Sequence, residues 1–232
     1  MKFIELPFVK TSSGKKIHSY RTHYNFKTKP KKYLYLIAGV HGDEPEGIYV
    51  LKKLLIWLKR KPFSLPIIII PVLNVDGAQK NKRVNFNGVD LNRNLPSLNW
   101  RPKARKKRYY PGSFPLSEIE NQYLLKLFKK YPPVLAISFH SWKPLLNYNG
   151  TLAKNVAQFI NQFNNYSVVA NLGYKTPGSL GHFLPENFNA SVLTYECPVL
   201  KGKKTLQSIW QENEIGLKSL FEYIHIQGLK FT

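Results

Sequence analysis

The sequence is poor in acids, in sulfur and in long apolar runs. Thirteen Asp and Glu stand against 35 Lys and Arg, a formal net charge of +22 over 232 residues. There is one cysteine, Cys197, and one methionine, Met1. A single cysteine excludes an intramolecular disulfide framework. No apolar run approaches the ~20 residues that a membrane-spanning helix needs. The opening Met1-Lys2-Phe3-Ile4-Glu5-Leu6-Pro7 lacks the apolar core of a signal peptide. These absences predict a cytoplasmic protein with no membrane span. The scarcity of acid also makes each carboxylate informative, and Glu44, Asp90 and Glu196 fall in the motifs below. The excess of cations favours anionic partners: nucleic acid, an anionic surface or polymer, or acidic small substrates. One block, Arg101-Pro102-Lys103-Ala104-Arg105-Lys106-Lys107-Arg108, holds six cations and no acid, yet removing it leaves the chain strongly basic.

An apolar fraction of 43% allows a proper core, and the length predicts one domain over residues 1–232. Two short alternating segments around Thr11-Ser12-Ser13-Gly14 predict a hairpin, and Lys27 to Lys32 reads as a basic connector. Buried strands are expected over Tyr33 to Val40, Leu65 to Leu73, Val134 to Phe139 and Ser191 to Tyr195, with a short one near Leu145 to Tyr148. Their uninterrupted apolar character implies a sheet covered on both faces. Helical spacing runs over Glu46 to Arg60, from a Ser117 N-cap to about Lys130, near 151–165 and over about 204–225. Asn74 to Ser117 has little periodicity and reads as a structured functional loop, and 171–187 is rich in turn signals. Strands alternating with helices predict an α/β fold: a three-layer sandwich with a central mixed, largely parallel sheet flanked by helices.

Chemistry concentrates at the strand ends. Gly39-Val40-His41-Gly42-Asp43-Glu44-Pro45-Glu46-Gly47 follows the first long apolar strand, where open α/β sheets place their ligands. A His with a Glu three residues on can bind one cation from one side. Imidazole nitrogen and carboxylate oxygen suit zinc, and a catalytic zinc takes a third protein ligand and keeps an open position. His140, in Ser138-Phe139-His140-Ser141-Trp142, is the candidate third ligand. The alternative is a buried structural histidine. Glu196, after Val192-Leu193-Thr194-Tyr195, is the candidate base, since a carboxylate at the end of an apolar run needs a partner. The alternative is a salt bridge to one of the many cations. Asn74-Val75-Asp76-Gly77 and Gly88-Val89-Asp90-Leu91-Asn92-Arg93-Asn94 bracket Arg83. Arg93 and Asn92 could hold a substrate carboxylate, Arg83 could polarise a carbonyl, and Asp90 could orient His41. A surface loop would explain the same residues.

Together these strings resemble the zinc carboxypeptidase family of metallopeptidases. The resemblance implies His41, Glu44 and His140 as ligands of one Zn²⁺ ion, Asp90 behind them, Arg83 as the carbonyl-polarising arginine, Asn92 and Arg93 as the carboxylate-binding pair, and Glu196 as general base. It covers about residues 33 to 200. Within the family the chain is most similar to the small bacterial murein peptide amidases. The features are its short length, Arg83-Val84-Asn85 running on to Asn94, Tyr109-Tyr110-Pro111-Gly112 with Ser117-Glu118, and Thr176-Pro177-Gly178-Ser179-Leu180-Gly181, which brings in Ser179 as a substrate contact. That branch implies hydrolysis of the γ-D-glutamyl–meso-diaminopimelate bond of murein peptides in the cytoplasm, hence a small anionic peptide as partner. The larger carboxypeptidases keep a substrate-contacting tyrosine upstream of the glutamate. Here the region reads Lys175-Thr176-Pro177-Gly178-Ser179, with Tyr174 just before it.

Two other functions fit parts of the chain. One is an N-acyl amino acid hydrolase of the aspartoacylase or succinylglutamate desuccinylase type. Those enzymes carry an acid two residues before the third-ligand histidine, where this chain has Ser138. The other is a non-catalytic basic module for a polymer or nucleic acid, with Trp100 and Tyr109-Tyr110 flanking the 101–108 run as stacking platforms. A solvated lysine-rich loop accounts for that run better than nucleic-acid binding. The sequence sets no oligomeric state.

Overall fold

The computed structural model describes residues 1–23 and 30–229. Ten strands are β1 (Phe3–Glu5), β2 (Val9–Lys10), β3 (Lys16–Ile17), β4 (Tyr20–Thr22), β5 (Tyr33–Ala38), β6 (Ile67–Ile70), β7 (Pro133–Trp142), β8 (Leu145–Asn149), β9 (Ser167–Val169) and β10 (Ser191–Pro198). Six helices are α1 (Pro45–Lys59), α2 (Val75–Lys80), α3 (Ile119–Lys130), α4 (Thr151–Asn164), α5 (Leu180–Phe188) and α6 (Leu206–Gln227). Eight strands form one mixed sheet in the order β1-β4-β6-β5-β7-β10-β8-β9, and β2 pairs with β3 as the expected hairpin. The central four strands, β6-β5-β7-β10, are parallel, and the antiparallel pairs lie toward the edges.

The sandwich follows from strand alternation. Successive side chains of a strand point to opposite faces, and β5 divides accordingly. Leu34 and Leu36 belong to a core with Leu51 and Leu54 of α1, Ile160 of α4 and Leu217 of α6. Tyr35 and Ile37 belong to a second core with Leu124 and Phe128 of α3 and Phe183 of α5. Both faces are therefore covered, as the apolar strands require.

Four details differ from the sequence reading. Asn74 to Ser117 contains α2, whose six residues are too short to show periodicity and include Gly77. The turn-rich 171–187 segment contains most of α5, masked by Gly181 and by Pro185 inside the helix. Ser117 is not the α3 cap: Glu118 holds that position, while the Ser117 hydroxyl accepts from Asn94 Nδ2 at 2.9 Å and donates to Glu118 Oε1 at 2.7 Å. Strands β7 and β10 run two residues beyond His140 and Glu196, so both side chains project from within strands rather than from strand ends. Part of the basic connector read over Lys27 to Lys32, residues 27–29, lies outside the described residues.

The first turn of α3 buries two acids beside one amide. Asn85 Nδ2 donates to Glu118 Oε2 at 2.7 Å and to Glu120 at 3.2 Å. Burial pushes the Glu120 carboxyl up to about 7, with the charges of Glu118 and Asp76 adding to the effect. The folded chain thus holds this proton more tightly than the unfolded chain. The resulting stability is full below the ordinary value of 4.5 and is lost as pH rises through about 7. A shift of that size is worth about 3 kcal/mol. Glu120→Gln, neutral throughout, is expected to flatten the decline between pH 5 and 7 and to melt higher than the parent at pH 8. Thermal melts across that range check it; a parallel decline in both proteins would refute it.

Candidate active site

The first site loop is held by close backbone packing. A Cβ on Gly42 would lie 2.0 Å from the carbonyl carbon of Gly77 and 2.2 Å from the nitrogen of Ala78. Only glycine lets this loop rest on the first turn of α2. Asn74 ties the contact together: its Oδ1 accepts from Gly77 N at 2.8 Å and its Nδ2 donates to the Arg83 carbonyl at 3.0 Å. The Asn74-Val75-Asp76-Gly77 string thereby fixes Arg83 against the His41 loop. Glu44 immediately precedes α1, whose first residue is Pro45. Proline at that position has the right φ and lacks an N–H that the helix could not use. Gly47 lets α1 approach β7, since a Cβ there would meet the Phe139 carbonyl at 2.8 Å.

The second half of the site follows from register. Glu196 of β10 lies opposite His140 of the parallel neighbour β7, and in-register neighbours share a face. His41, Glu44 and His140 each offer a ligand atom, all within 4.8 Å of one another. Glu44 Oε1 lies 2.7 Å from His41 Nδ1, and Oε2 lies 2.8 Å from His140 Nδ1. The two Nδ1 atoms are 3.2 Å apart. Each imidazole is engaged at its far nitrogen, His41 Nε2 with Asp90 Oδ1 at 3.1 Å and His140 Nε2 with Ser138 Oγ at 3.0 Å. A proton on each Nε2 leaves both Nδ1 lone pairs turned toward Glu44. Such hydrogen-bonded orientation of the far nitrogen is the usual support of metal-binding histidines. Two nitrogens and a carboxylate converging with outer support fit a zinc ion.

The charges around this cluster are strongly coupled. Burial works against the charge of Glu44, yet His41 and His140 hold its carboxyl well below the usual range. Asp90 is likewise held low against burial by His41, then by Arg83. Arg83 Nε donates to Asp90 Oδ2 at 2.9 Å, and its NH1 reaches Glu44 Oε1 at 3.4 Å. Glu196 stands apart. It is 7% exposed, its Oε2 has no hydrogen-bond partner, and no cation of the described residues pairs with it. Among the described residues the salt-bridge alternative for Glu196 therefore finds no cation. Burial pushes its carboxyl up to about 7; the nearby Glu44 adds to this, while His140 and Arg83 pull it down.

The remaining candidates lie where the 90–94 segment meets the start of α5. Asn92 Oδ1 accepts from Leu180 N at 2.9 Å, joining the 90–94 segment to the start of α5. Gly178, with φ +71°, packs so closely that a Cβ would lie 2.1 Å from the Arg93 carbonyl oxygen. Ser179 is buried at the N-cap of α5, its hydroxyl 3.4 Å from Thr176 Oγ1. Arg93 is 8% exposed. Its NH1 donates to the Asn92 carbonyl at 2.6 Å, and no carboxylate of the described residues pairs with it. Tyr174 also belongs here. Burial raises its hydroxyl pKa, followed by the charge of Glu196, and its ring meets Trp142 edge-on at 5.8 Å. Sequence reasoning did not find the support given by Ser138 or the contacts of Arg83 with Asp90 and Glu44.

A two-histidine, one-glutamate cluster with a buried carboxylate beside it, toward the C-terminal ends of the parallel central strands, defines a metal-dependent hydrolase. The chain belongs to the zinc carboxypeptidase family, whose model matches residues 6–196. Murein peptide amidase A of Escherichia coli strain K12 is 32% identical over 174 residues, covering 70% of each chain. The crystal structure of the murein-tripeptide amidase MpaA from Escherichia coli O157 superposes with a TM-score of 0.72 at 24% identity, over 91% of this chain and 89% of that one. Carboxypeptidase A from Helicoverpa armigera gives a TM-score of 0.75 at 17% identity, over 99% of this chain and 69% of that one. Among the described residues no helix is long and apolar enough to cross a membrane.

Proposed function

We propose that this hydrolase cleaves an amide bond next to a carboxylate-bearing amino acid in a small anionic peptide of the murein type, the γ-D-glutamyl–meso-diaminopimelate bond. One zinc ion is held by His41, Glu44 and His140, and residues 1–232 act as one catalytic domain in the cytoplasm. When bound, the ion supplies Lewis acidity, polarising a carbonyl and acidifying water. Glu196 takes a proton from the attacking water and delivers it to the departing amine nitrogen as the C–N bond breaks. Arg83 lies against the negative charge that develops on the carbonyl oxygen. Asp90 keeps His41 in one tautomer, and Ser138 does the same for His140. Asn92 and Arg93 bind the carboxylate of the departing amino acid, with Ser179 beside them.

The observation that carries this reading is Arg93: a buried guanidinium that pairs with no carboxylate among the described residues and feels chiefly the charge of Asp90 and the like charge of Arg83. Burying such a group is costly without an anion, and a substrate carboxylate supplies one bidentately. Two features disfavour the rival functions. Ser138 occupies the place of the acid expected of the N-acyl amino acid hydrolases and is engaged with His140. Of the aromatics flanking 101–108, only Tyr110 is exposed; Trp100 and Tyr109 are partly buried, so no stacking platform for nucleic acid results.

The test is a substrate panel on zinc-loaded protein. A tripeptide ending in γ-D-glutamyl–meso-diaminopimelate is expected to be cleaved. Amidating the carboxylate next to the scissile bond is expected to lower kcat/KM at least ~100-fold, because Arg93 is then left buried without an anion. Equal rates on acid and amide, or faster cleavage of N-acyl amino acids, would sink the proposal.

A further inference from the structure

The Tyr109-Tyr110-Pro111-Gly112 string has no place in the chemistry so far, yet the structure inserts it between two functional arginines. One backbone and one side-chain bond set its position: Asp90 N donates to the Tyr110 carbonyl at 2.8 Å, and Asn94 Nδ2 donates to the Pro111 carbonyl at 2.8 Å. Gly112 closes the turn at φ +84°, where a Cβ would lie 2.3 Å from Ser117 Oγ. The string is thus clamped along the 90–94 segment. The Tyr109 ring centroid lies 5.1 Å from the guanidinium carbon of Arg83 and 5.6 Å from that of Arg93. Arg108, its chain neighbour, adds a third guanidinium at 5.4 Å.

The two non-local contacts are unequal in importance. Arg83 is fixed independently by Asp90 and Glu44. Among the described residues the Arg93 guanidinium has one hydrogen bond, to the carbonyl of its own neighbour Asn92; the charge of Asp90 favours it and the positive charge of Arg83 acts against it. Asp90 is already engaged by Arg83 and His41, so the Arg93 fork needs something further to hold its orientation beside Arg83. The face of an aromatic ring does this: its negative quadrupole attracts both cations, and its plane restricts the fork.

We propose that Tyr109 is a positioning residue for substrate recognition: its ring fixes the Arg93 guanidinium beside Arg83 so that the site reads a free carboxylate. This rests on the carboxylate role given to Arg93 above. The ring matters here rather than the hydroxyl, so leucine, apolar and smaller with no π face, is the informative replacement and phenylalanine the conservative one.

Acid and amide forms of one peptide are compared on wild type, Tyr109→Leu and Tyr109→Phe. Tyr109→Leu is expected to raise KM for the acid about tenfold, with kcat within about threefold and the amide rate unchanged, so acid-over-amide discrimination falls about tenfold. Tyr109→Phe is expected to recover it. A second reading needs no turnover: in ¹⁵N spectra of wild type, the Arg93 Nε–Hε pair, assigned with Arg93→Lys, is expected to carry a ring-current displacement. Undiminished discrimination in Tyr109→Leu, an equal loss on acid and amide, or an undisplaced Arg93 resonance each overturns the proposal. A wild type that cleaves acid and amide alike overturns the carboxylate reading first, and this proposal with it.

Discussion

Replacing Glu196 with Gln is expected to lower kcat by about 10³-fold while leaving zinc stoichiometry unchanged. Proton transfer by a positioned side chain contributes roughly 10²–10⁴-fold, and an amide of the same shape cannot accept the proton. The ligand atoms come from His41, Glu44 and His140, so the donor set survives the change. The fold survives as well. Burial raises the Glu196 carboxyl to about 7, which means its ionised form opposes folding in the metal-free protein. The stability contributed by the protonated form is full below the ordinary value of 4.5 and is lost as pH rises through about 7. Glu196→Gln removes the opposition, so metal-free variant is expected to melt no lower than metal-free parent at pH 8. Loss of activity with retained metal and retained stability identifies a proton-transfer role. A variant turning over within tenfold of wild type would falsify it.

The sequence made the ends of the central strands conspicuous, because a lone polar residue after an apolar run stands out. His41, His140 and Glu196 were found this way, and parallel register explains why they meet: the Glu196–His140 pairing is a property of the sheet. Asp90 is the expected support of His41, and its Oδ1 lies 3.1 Å from His41 Nε2. Other features depend on contacts that no local pattern encodes. Ser138 looks like any strand serine until its hydroxyl meets His140. Arg83 was read as facing substrate, and nothing near it in the chain reveals that it also braces Asp90 and Glu44. Tyr109 owes its position to bonds that the Asp90 backbone and the Asn94 side chain make to the carbonyls of Tyr110 and Pro111 just after it. The two missed helices failed for a different reason. Gly77 and Pro185 are poor helix residues by propensity, and tertiary packing overrides them: Gly77 must admit the Gly42 loop, and Phe183 and Leu184 of α5 fill the second core.

Removing zinc with a chelator, or changing His140 to Ala, is expected to abolish hydrolysis, a loss of at least ~10³-fold, with zinc restoring the first protein and not the second. The same pair of experiments reads the electrostatics of the cluster. In the metal-free protein His41 is held by its neighbours: burial disfavours its charge, but Glu44 and Asp90 outweigh burial and Arg83, and its pKa is raised from 6.5. The stability this gives is complete below that ordinary value and is lost as pH rises through the raised one. A zinc ion takes the place of the proton, because imidazole must be neutral to bind it. Zinc should therefore stabilise the fold more at pH 8 than at pH 6. At a free concentration ~1,000 times the dissociation constant the gain is about 4 kcal/mol, or roughly 10 °C in Tm for a chain of this size. His140→Ala should show neither the thermal shift nor the activity, whereas Glu196→Gln should keep the shift and lose only the activity. A chelated protein that still hydrolyses the peptide, or a His140→Ala variant that still gains stability from zinc, would place the ion elsewhere and leave the His41–Glu44–His140 cluster without its assigned role.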